Sequence, residues 1–206
     1  MKRSPAIRIA GALAGAVLLL GAFAARGQDL DKALLLAAAP ELKGPYARTA
    51  LIVLPMGDKH VGFILNRATN MKLATVFPEH PPSAKVIEPL FFGGPEAAGA
   101  IFALLRRDPG EPSLHLFGDV FMTAHAAAID RIIEQTPNDA RYFAGFVGWG
   151  RGELAQELER GWWLTAIPDA SEVFRKDTGG MWGELVKRLT RRGKGQLETQ
   201  LKFPLL

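Results

Sequence analysis

The segment from Gly145 to Trp163, GFVGWGRGELAQELERGWW, gathers the residue types most able to do chemistry in this chain. It sets Gly148, Gly150 and Gly152 at alternate positions around Trp149, then runs into a helical pattern carrying Glu153 and Glu157. The backbone N–H groups of a glycine loop at a helix N-terminus can cradle an anion. The spacing is neither the phosphate-loop pattern nor the dinucleotide pattern, and no Lys-Ser or Lys-Thr follows it. Glu153 complements the helix dipole and would repel a phosphate. The plainer expectation is a tight, tryptophan-covered turn, because glycines adopt backbone conformations that other residues resist.

Two further turns offer binding chemistry. Asn66-Arg67 ends one strand pattern, and Gly93-Gly94-Pro95 follows another. Arg67 could grip a carboxylate or phosphate with its fork of donors, and Gly93-Gly94 could present backbone donors as a nest. Ordinary turn chemistry competes. Asn66 would cap a turn through its side chain, and Arg67 would pair with Glu41 or Asp31. Gly93-Gly94 would allow close backbone approach. The candidates for ligand or partner contact are therefore Asn66, Arg67, Gly93, Gly94, Pro95, Trp149, Gly150 and Gly152.

Catalytic and metal patterns are weaker. The chain has no cysteine, which removes thiol catalysis, disulfides and thiolate metal sites. His60, His80, His115 and His125 are scattered without ligand spacing, so no metal site and no cofactor are expected. Ser83, Ser113 and Ser171 stand by no nucleophile elbow and no obvious His–acid pair. Asp119, Asp130 and Glu134 do not declare themselves a catalytic carboxylate pair.

The elements that must position these residues follow from apolar patterning. Lys32 to Ala39 is a short apolar element, strand or helix, stopped by Pro40. Thr49 to Pro55 and His60 to Asn66 read as a hairpin across Met56 to Lys59. Met71 to Phe77 reads as a short helix capped by Thr69 or Asn70. Strands are expected before Gly93, over Gly99 to Arg106, and on either side of Gly118-Asp119. Ala124 to Gln135 is helical, with Ala126, Ile129, Ile132 and Ile133 on one face. Arg141 to Trp149 is an aromatic-rich strand, and Gly152 to Arg160 a helix with Leu154, Ala155 and Leu158 inward. Gly161 ends that helix, and a strand from Trp162 to Ile167 sends its two tryptophans to opposite faces. Met181 to Leu189 is a final amphipathic helix with Trp182, Leu185, Val186 and Leu189 inward. Strands and helices mix without regular βαβ spacing, so the expected class is α+β.

The start of the chain differs in kind. Lys2, Arg3 and Arg8 precede and flank an uncharged apolar run, Ile9 to Ala24, which ends in a small-x-small cleavage pattern. That is the pattern of a secretory signal peptide over residues 1–24, with an uncleaved anchor as the alternative. Residues 25–31 read as a linker, 32–190 as the domain and 191–206 as a basic tail able to touch anionic lipid weakly. Of the formal charge of +4, the leader holds three basic residues and no acidic one, leaving 22 basic against 21 acidic residues, or +1. The basic balance belongs mostly to the leader, so a nucleic-acid partner is not expected.

Several segments, LKGPYARTALIVLP, VGFILNRATN, LFFGGPE, RYFAGFVGWGRGELAQELERGWW and VFRKDTGGMW, together resemble the YqgE/AlgH family of bacterial proteins. The resemblance covers about Lys32 to Leu189 and implies a single α+β domain. Its mixed, bifurcated sheet would curl into a pseudo-barrel with flanking helices. The family carries a transcriptional-regulator label without an established molecular function. This chain departs from the pattern in its leader, in Ala68 where proline is usual, and in its short Met56 to Lys59 loop. The expectation is a periplasmic, non-enzymatic binding or regulatory module with a protein or small-ligand partner in the cell envelope. A transcriptional regulator and an enzyme of unassigned class are the alternatives.

Overall fold

The computed structural model describes residues 29–202, with side chains to residue 193. The expected leader, residues 25–28 of the linker and the last four residues lie outside this range.

Among the described residues, nine strands and five α-helices follow in chain order: β1 (Leu34–Ala38), β2 (Ala50–Met56), β3 (Lys59–Ile64), α1 (Leu73–Val76), β4 (Phe91–Phe92), β5 (Glu96–Leu105), β6 (Leu114–Phe117), β7 (Val120–Thr123), α2 (Ala126–Gln135), β8 (Ala140–Trp149), α3 (Glu153–Glu159), β9 (Trp163–Ala166), α4 (Ala170–Val173) and α5 (Met181–Lys202). One sheet runs β6-β7-β5-β8-β3-β2-β1-β9. All its pairings are antiparallel except that β4 lies parallel to β8. β8 is where the sheet forks. Its end pairs with β3 (Gly62↔Val147 to His60↔Trp149), and its middle pairs with β4 (Phe91↔Phe143). Its other edge pairs with β5. The sheet is thus mixed and bifurcated, and it curls into a half-barrel within a single α+β domain, as expected.

Two-faced burial explains why the first strands read as continuous apolar runs rather than alternating ones. Successive side chains leave a strand on opposite faces. Leu35, Ala37, Ile52, Leu54 and Phe63 point into the curl, where Met181 and Leu185 of α5 join them. Leu34, Leu36, Leu51, Val53 and Ile64 point outward beneath Leu154 and Leu158 of α3. A third cluster sits behind β5 and β8, where Ile129, Ile132 and Ile133 of α2 cover Ala103, Leu105 and Tyr142. Pairing also decides the ambiguous Lys32 to Ala39 run. It becomes β1 because β2 and β9 satisfy its two edges.

Several local expectations are corrected. α1 is preceded by Lys72 without a side-chain cap. Thr69 instead accepts the Met71 N–H (3.0 Å) and donates to the Leu90 carbonyl (2.6 Å), while Asn70 caps nothing. α2 begins at Ala126, which is exposed, and Ala128 takes its place on the buried face. The strand before Gly93 is only Phe91–Phe92. The final helix continues to Lys202, far beyond Leu189, so the basic segment is helical through that residue. Among the described residues no helix is long and apolar enough to cross a membrane.

Candidate functional site

The glycine–tryptophan turn is satisfied from within. β8 delivers Trp149 to a buried position, edge-on to Trp163 with ring centroids 6.3 Å apart. A Cβ on Gly62 would stand 2.8 Å from the Trp149 ring, so glycine is what lets the indole lie on β3. One oxygen of Glu157, Oε2, accepts both indole N–H groups, from Trp149 at 2.8 Å and Trp163 at 2.7 Å. Gly152 takes the left-handed conformation (φ 75°) that feeds α3. Glu153 then reaches back to accept the Gly150 N–H at 2.7 Å. The anion seated on this turn is therefore the chain's own carboxylate. Arg151, the turn's cation, pairs with Asp58 at 2.9 Å. Trp162 and Trp163 do part to opposite faces, Trp162 at 38% exposure and Trp163 at 4%.

Asn66 and Arg67 also have internal partners, though not the expected ones. Asn66 does not cap its own turn. It accepts the Ala50 N–H (2.9 Å) and donates to the Arg48 carbonyl (2.9 Å), bracing the entry to β2. Arg48 has φ 58°, a conformation non-glycine residues seldom hold without such support. Arg67 pairs with neither Glu41 nor Asp31; it donates to the Pro45 carbonyl. This side chain, Glu96 and Glu157 all act on Tyr46, whose ring stands 6.5 Å from Trp163. Burial first, then the charges of Glu96 and Glu157, push the Tyr46 hydroxyl above its ordinary value, with Arg67 pulling the other way.

Gly93 and Gly94 are a crossing point. The Gly93 N–H is bonded to Ala144 (2.9 Å), and its carbonyl accepts from Ile64 (3.0 Å). A Cβ on Gly94 would fall 2.2 Å from the Phe146 carbonyl. Pro95 beside them is exposed. The eight candidates do not converge on one point. β3 and β8 are antiparallel, so Asn66 and Trp149 leave opposite ends of the pair, six residues or about 20 Å apart along the strand.

The histidines stay apart. His60 meets the Leu30 carbonyl (3.0 Å), His80 meets Ser83 (2.9 Å), and His115 meets the Gly118 carbonyl (2.9 Å). Among the described residues no group of three or more acidic or histidine side chains is placed to hold a metal ion.

A different site emerges where the curled sheet nearly closes on itself. β6 and β9 are the two ends of the sheet. Between β6, the end of β2 and the chain leaving β9 lies an open cleft of about 630 Å³. Met56 (44% exposed), Leu114 (44%) and Ile167 (81%) line it, with Pro55, Phe117 and Pro168. Its charged lining residues, Asp31 and Lys32, are one of each sign. The volume falls in the range of ligand clefts, about 300–1,000 Å³. The outer edge of β6 carries no further strand among the described residues, and Leu114 to Phe117 of this strand line the cleft; an unpaired strand edge presents free main-chain donors and acceptors. No motif announces this site, because its residues come from separate stretches of chain and each reads alone as an ordinary exposed apolar residue.

Comparison with known proteins accords with this architecture. The family model described as AlgH-like matches residues 35–194. A UPF0301 protein of Chlorobium limicola is 31% identical over 159 residues, covering 75% of this chain and 83% of the relative. A UPF0301 protein of Mycobacterium avium is 32% identical over 162 residues, covering 75% and 80%. The crystal structure of a Corynebacterium diphtheriae protein superposes with a TM-score of 0.65 at 23% identity, covering 78% of this chain and 88% of that one. The solution structure of the AlgH protein of Pseudomonas aeruginosa gives 0.64 at 22% identity, with the same coverage. At these identities the two structures share the fold. With its matched residues spanning nearly the whole described domain, the chain belongs to the AlgH-like family.

Proposed function

We propose that this protein is an exported, non-enzymatic binding module whose cleft receives an extended apolar segment of a partner protein in the cell envelope. The observation that carries the reading is the free edge of β6 beside a cleft of about 630 Å³ from which Met56, Leu114 and Ile167 stand exposed. Extended peptides are recognised in this way: main-chain hydrogen bonds add a strand to the edge, and alternate side chains enter the neighbouring cleft. Lys32 is paired with Asp29 at 2.8 Å and Asp31 is exposed, so apolar side chains dominate the lining and an apolar strand-forming segment suits it. The eight turn residues serve in this reading as the frame that holds the curl, because their polar groups are largely engaged internally. Export rests on the leader pattern of residues 1–24. Duplex nucleic acid is a poorer partner, since a balance of +1 offers little to a phosphate backbone.

The test is selection from a library of short peptides that alternate apolar and polar residues, using the full chain as bait. Selected peptides should slow amide exchange in Leu114–Phe117 and should bind Leu114→Arg and Ile167→Glu at least about ten-fold more weakly. Selected peptides that bind both variants as well as the wild type, or that protect only amides elsewhere, refute the cleft assignment. The N-terminus and intact mass of the protein from fractionated cells test export separately. A periplasmic species beginning near Ala25 is expected. A cytoplasmic species retaining Met1 would overturn that part of the proposal.

A further inference from the structure

A second cavity, of about 410 Å³, lies where the β5–β8 ladder ends at Leu105 and Ala140, at the other end of β8 from its pairing with β3, and it is cationic. Arg106 and Arg107 leave the end of β5, Arg141 stands at the start of β8, and Lys176 follows α4. Glu88 and Asp139 are the acidic side chains in the lining. Both are already committed. Arg141, 1% exposed, donates two parallel bonds to Glu88 (2.9 and 2.9 Å) and one each to the Val173 and Arg175 carbonyls (2.7 and 2.8 Å). Its guanidinium lies 4.4 Å from the Phe91 ring centre, so this arginine is fixed on every side. Asp139 pairs with Arg107 at 3.4 Å. Asn138 is consumed by the Ile87 N–H and the Lys85 carbonyl.

That accounting leaves Arg106 and Lys176. Neither side chain makes a hydrogen bond or ion pair among the described residues, and the acidic neighbour of Arg106 is Asp169, whose exposed carboxyl is held down first by its bonds to Ser171 and to a lesser degree by the Arg106 charge. Arg106 lies over the Phe174 ring at 5.5 Å, which orients its fork without using its donors. The cavity thus carries two cations without a direct hydrogen-bond or ion-pair partner over a neutralised floor, with an aromatic wall at Phe174.

We propose that this cavity binds a small phosphomonoester. The group carries about −1.5 to −2 charge near neutral pH, which matches these two cations. A planar guanidinium can take two phosphate oxygens while an ammonium meets the third. The volume exceeds that of a phosphate group and leaves the organic part against Phe174. This site is independent of the cleft beside β6 and stands or falls without it.

Titration calorimetry of the full chain with phenyl phosphate, inorganic phosphate and phthalate tests the assignment. Phenyl phosphate should bind most tightly, and its affinity should fall as salt rises. Arg106→Gln and Lys176→Gln should each weaken it about ten-fold or more, the loss expected for a charge-assisted hydrogen bond. Arg131→Gln, a cation outside the cavity, should leave it unchanged. Arg106 and Lys176 are exposed and come from separate segments, so a variant that failed to fold would leave the other to decide. Phthalate binding as tightly as phenyl phosphate would overturn the phosphate assignment. Absent binding, or binding indifferent to both variants, would overturn the site.

Discussion

Glu157 offers the sharpest test of how the glycine–tryptophan turn is held. Its Oε2 is the single acceptor for the indole N–H groups of Trp149 and Trp163, and both tryptophans are only 4% exposed. Glu157→Ala strands both donors. A buried polar group left without a partner costs about 1–3 kcal/mol, so two give a ceiling of roughly 6 kcal/mol. Glu157 is itself only half-buried, and water entering its place would recover part of this. The expected loss is about 3 kcal/mol. For a domain of this size that lowers Tm by roughly 6–12 °C. Glu157→Gln is the control. An amide oxygen has two lone pairs and can serve both indoles, so only the charge assistance is lost, about 1 kcal/mol. Urea unfolding followed by tryptophan fluorescence reads both variants, with an unchanged denaturant slope confirming that stability alone has moved. If Glu157→Ala stayed within about 0.5 kcal/mol of wild type, the range of a bland surface change, the shared acceptor would have no structural weight. Equal damage from Glu157→Gln would show that charge, not hydrogen-bond acceptance, is what matters.

Gly94→Ala should abolish soluble folded protein or cost about 3 kcal/mol or more, because its Cβ would meet the backbone of Phe146 and not a side chain able to turn away. A soluble variant melting within about 2 °C of wild type would contradict the crossing geometry. Tyr142 predicts a loss of stability in alkali. Burial, and then the charge of Asp139, hold its phenol far above the ordinary value. The unfolded chain gives up this proton near pH 10 while the folded protein keeps it, so the stabilisation is complete below about pH 10 and declines as pH rises beyond it. Melting curves from about pH 8 to about pH 11 should show a fall that Tyr142→Phe makes shallower, with Tyr46, whose hydroxyl is also held above its ordinary value, contributing to what remains. An identical alkaline fall in Tyr142→Phe would assign the effect to other groups.

Local patterning carried well where a residue's fate depended on its neighbours in sequence. The α2 face of Ile129, Ile132 and Ile133 is a helical repeat, and the parting of Trp162 and Trp163 is strand alternation. Gly161, at φ 71°, ends α3 as its position implied. Patterning failed where a partner was remote. The Asn66 carboxamide has local turn chemistry available to it, yet it is drawn to Arg48 and Ala50, across the β2–β3 hairpin. Thr69 was a plausible helix cap, but the Leu90 carbonyl lies within reach of its hydroxyl once β4 is in place. Nothing in the local pattern links Glu157 to a tryptophan, and only the packing of α3 on the curled sheet sets two indoles against it.

By itself the sequence determined the class of the domain, most of its strands and helices, its family, and the glycines on which its backbone crossings depend. The family follows from the resemblance of several motifs taken together, and the other properties from periodicity and from steric limits within a few residues. Tertiary structure decided which polar groups remain available. It spent the Gly150 N–H on Glu153, the Arg151 charge on Asp58 and the Arg141 guanidinium on Glu88. It left Arg106, Lys176 and the apolar mouth beside β6 open. Whether a side chain is free to bind depends on what folding brings beside it, and residues distant in the chain meet only after the sheet has curled.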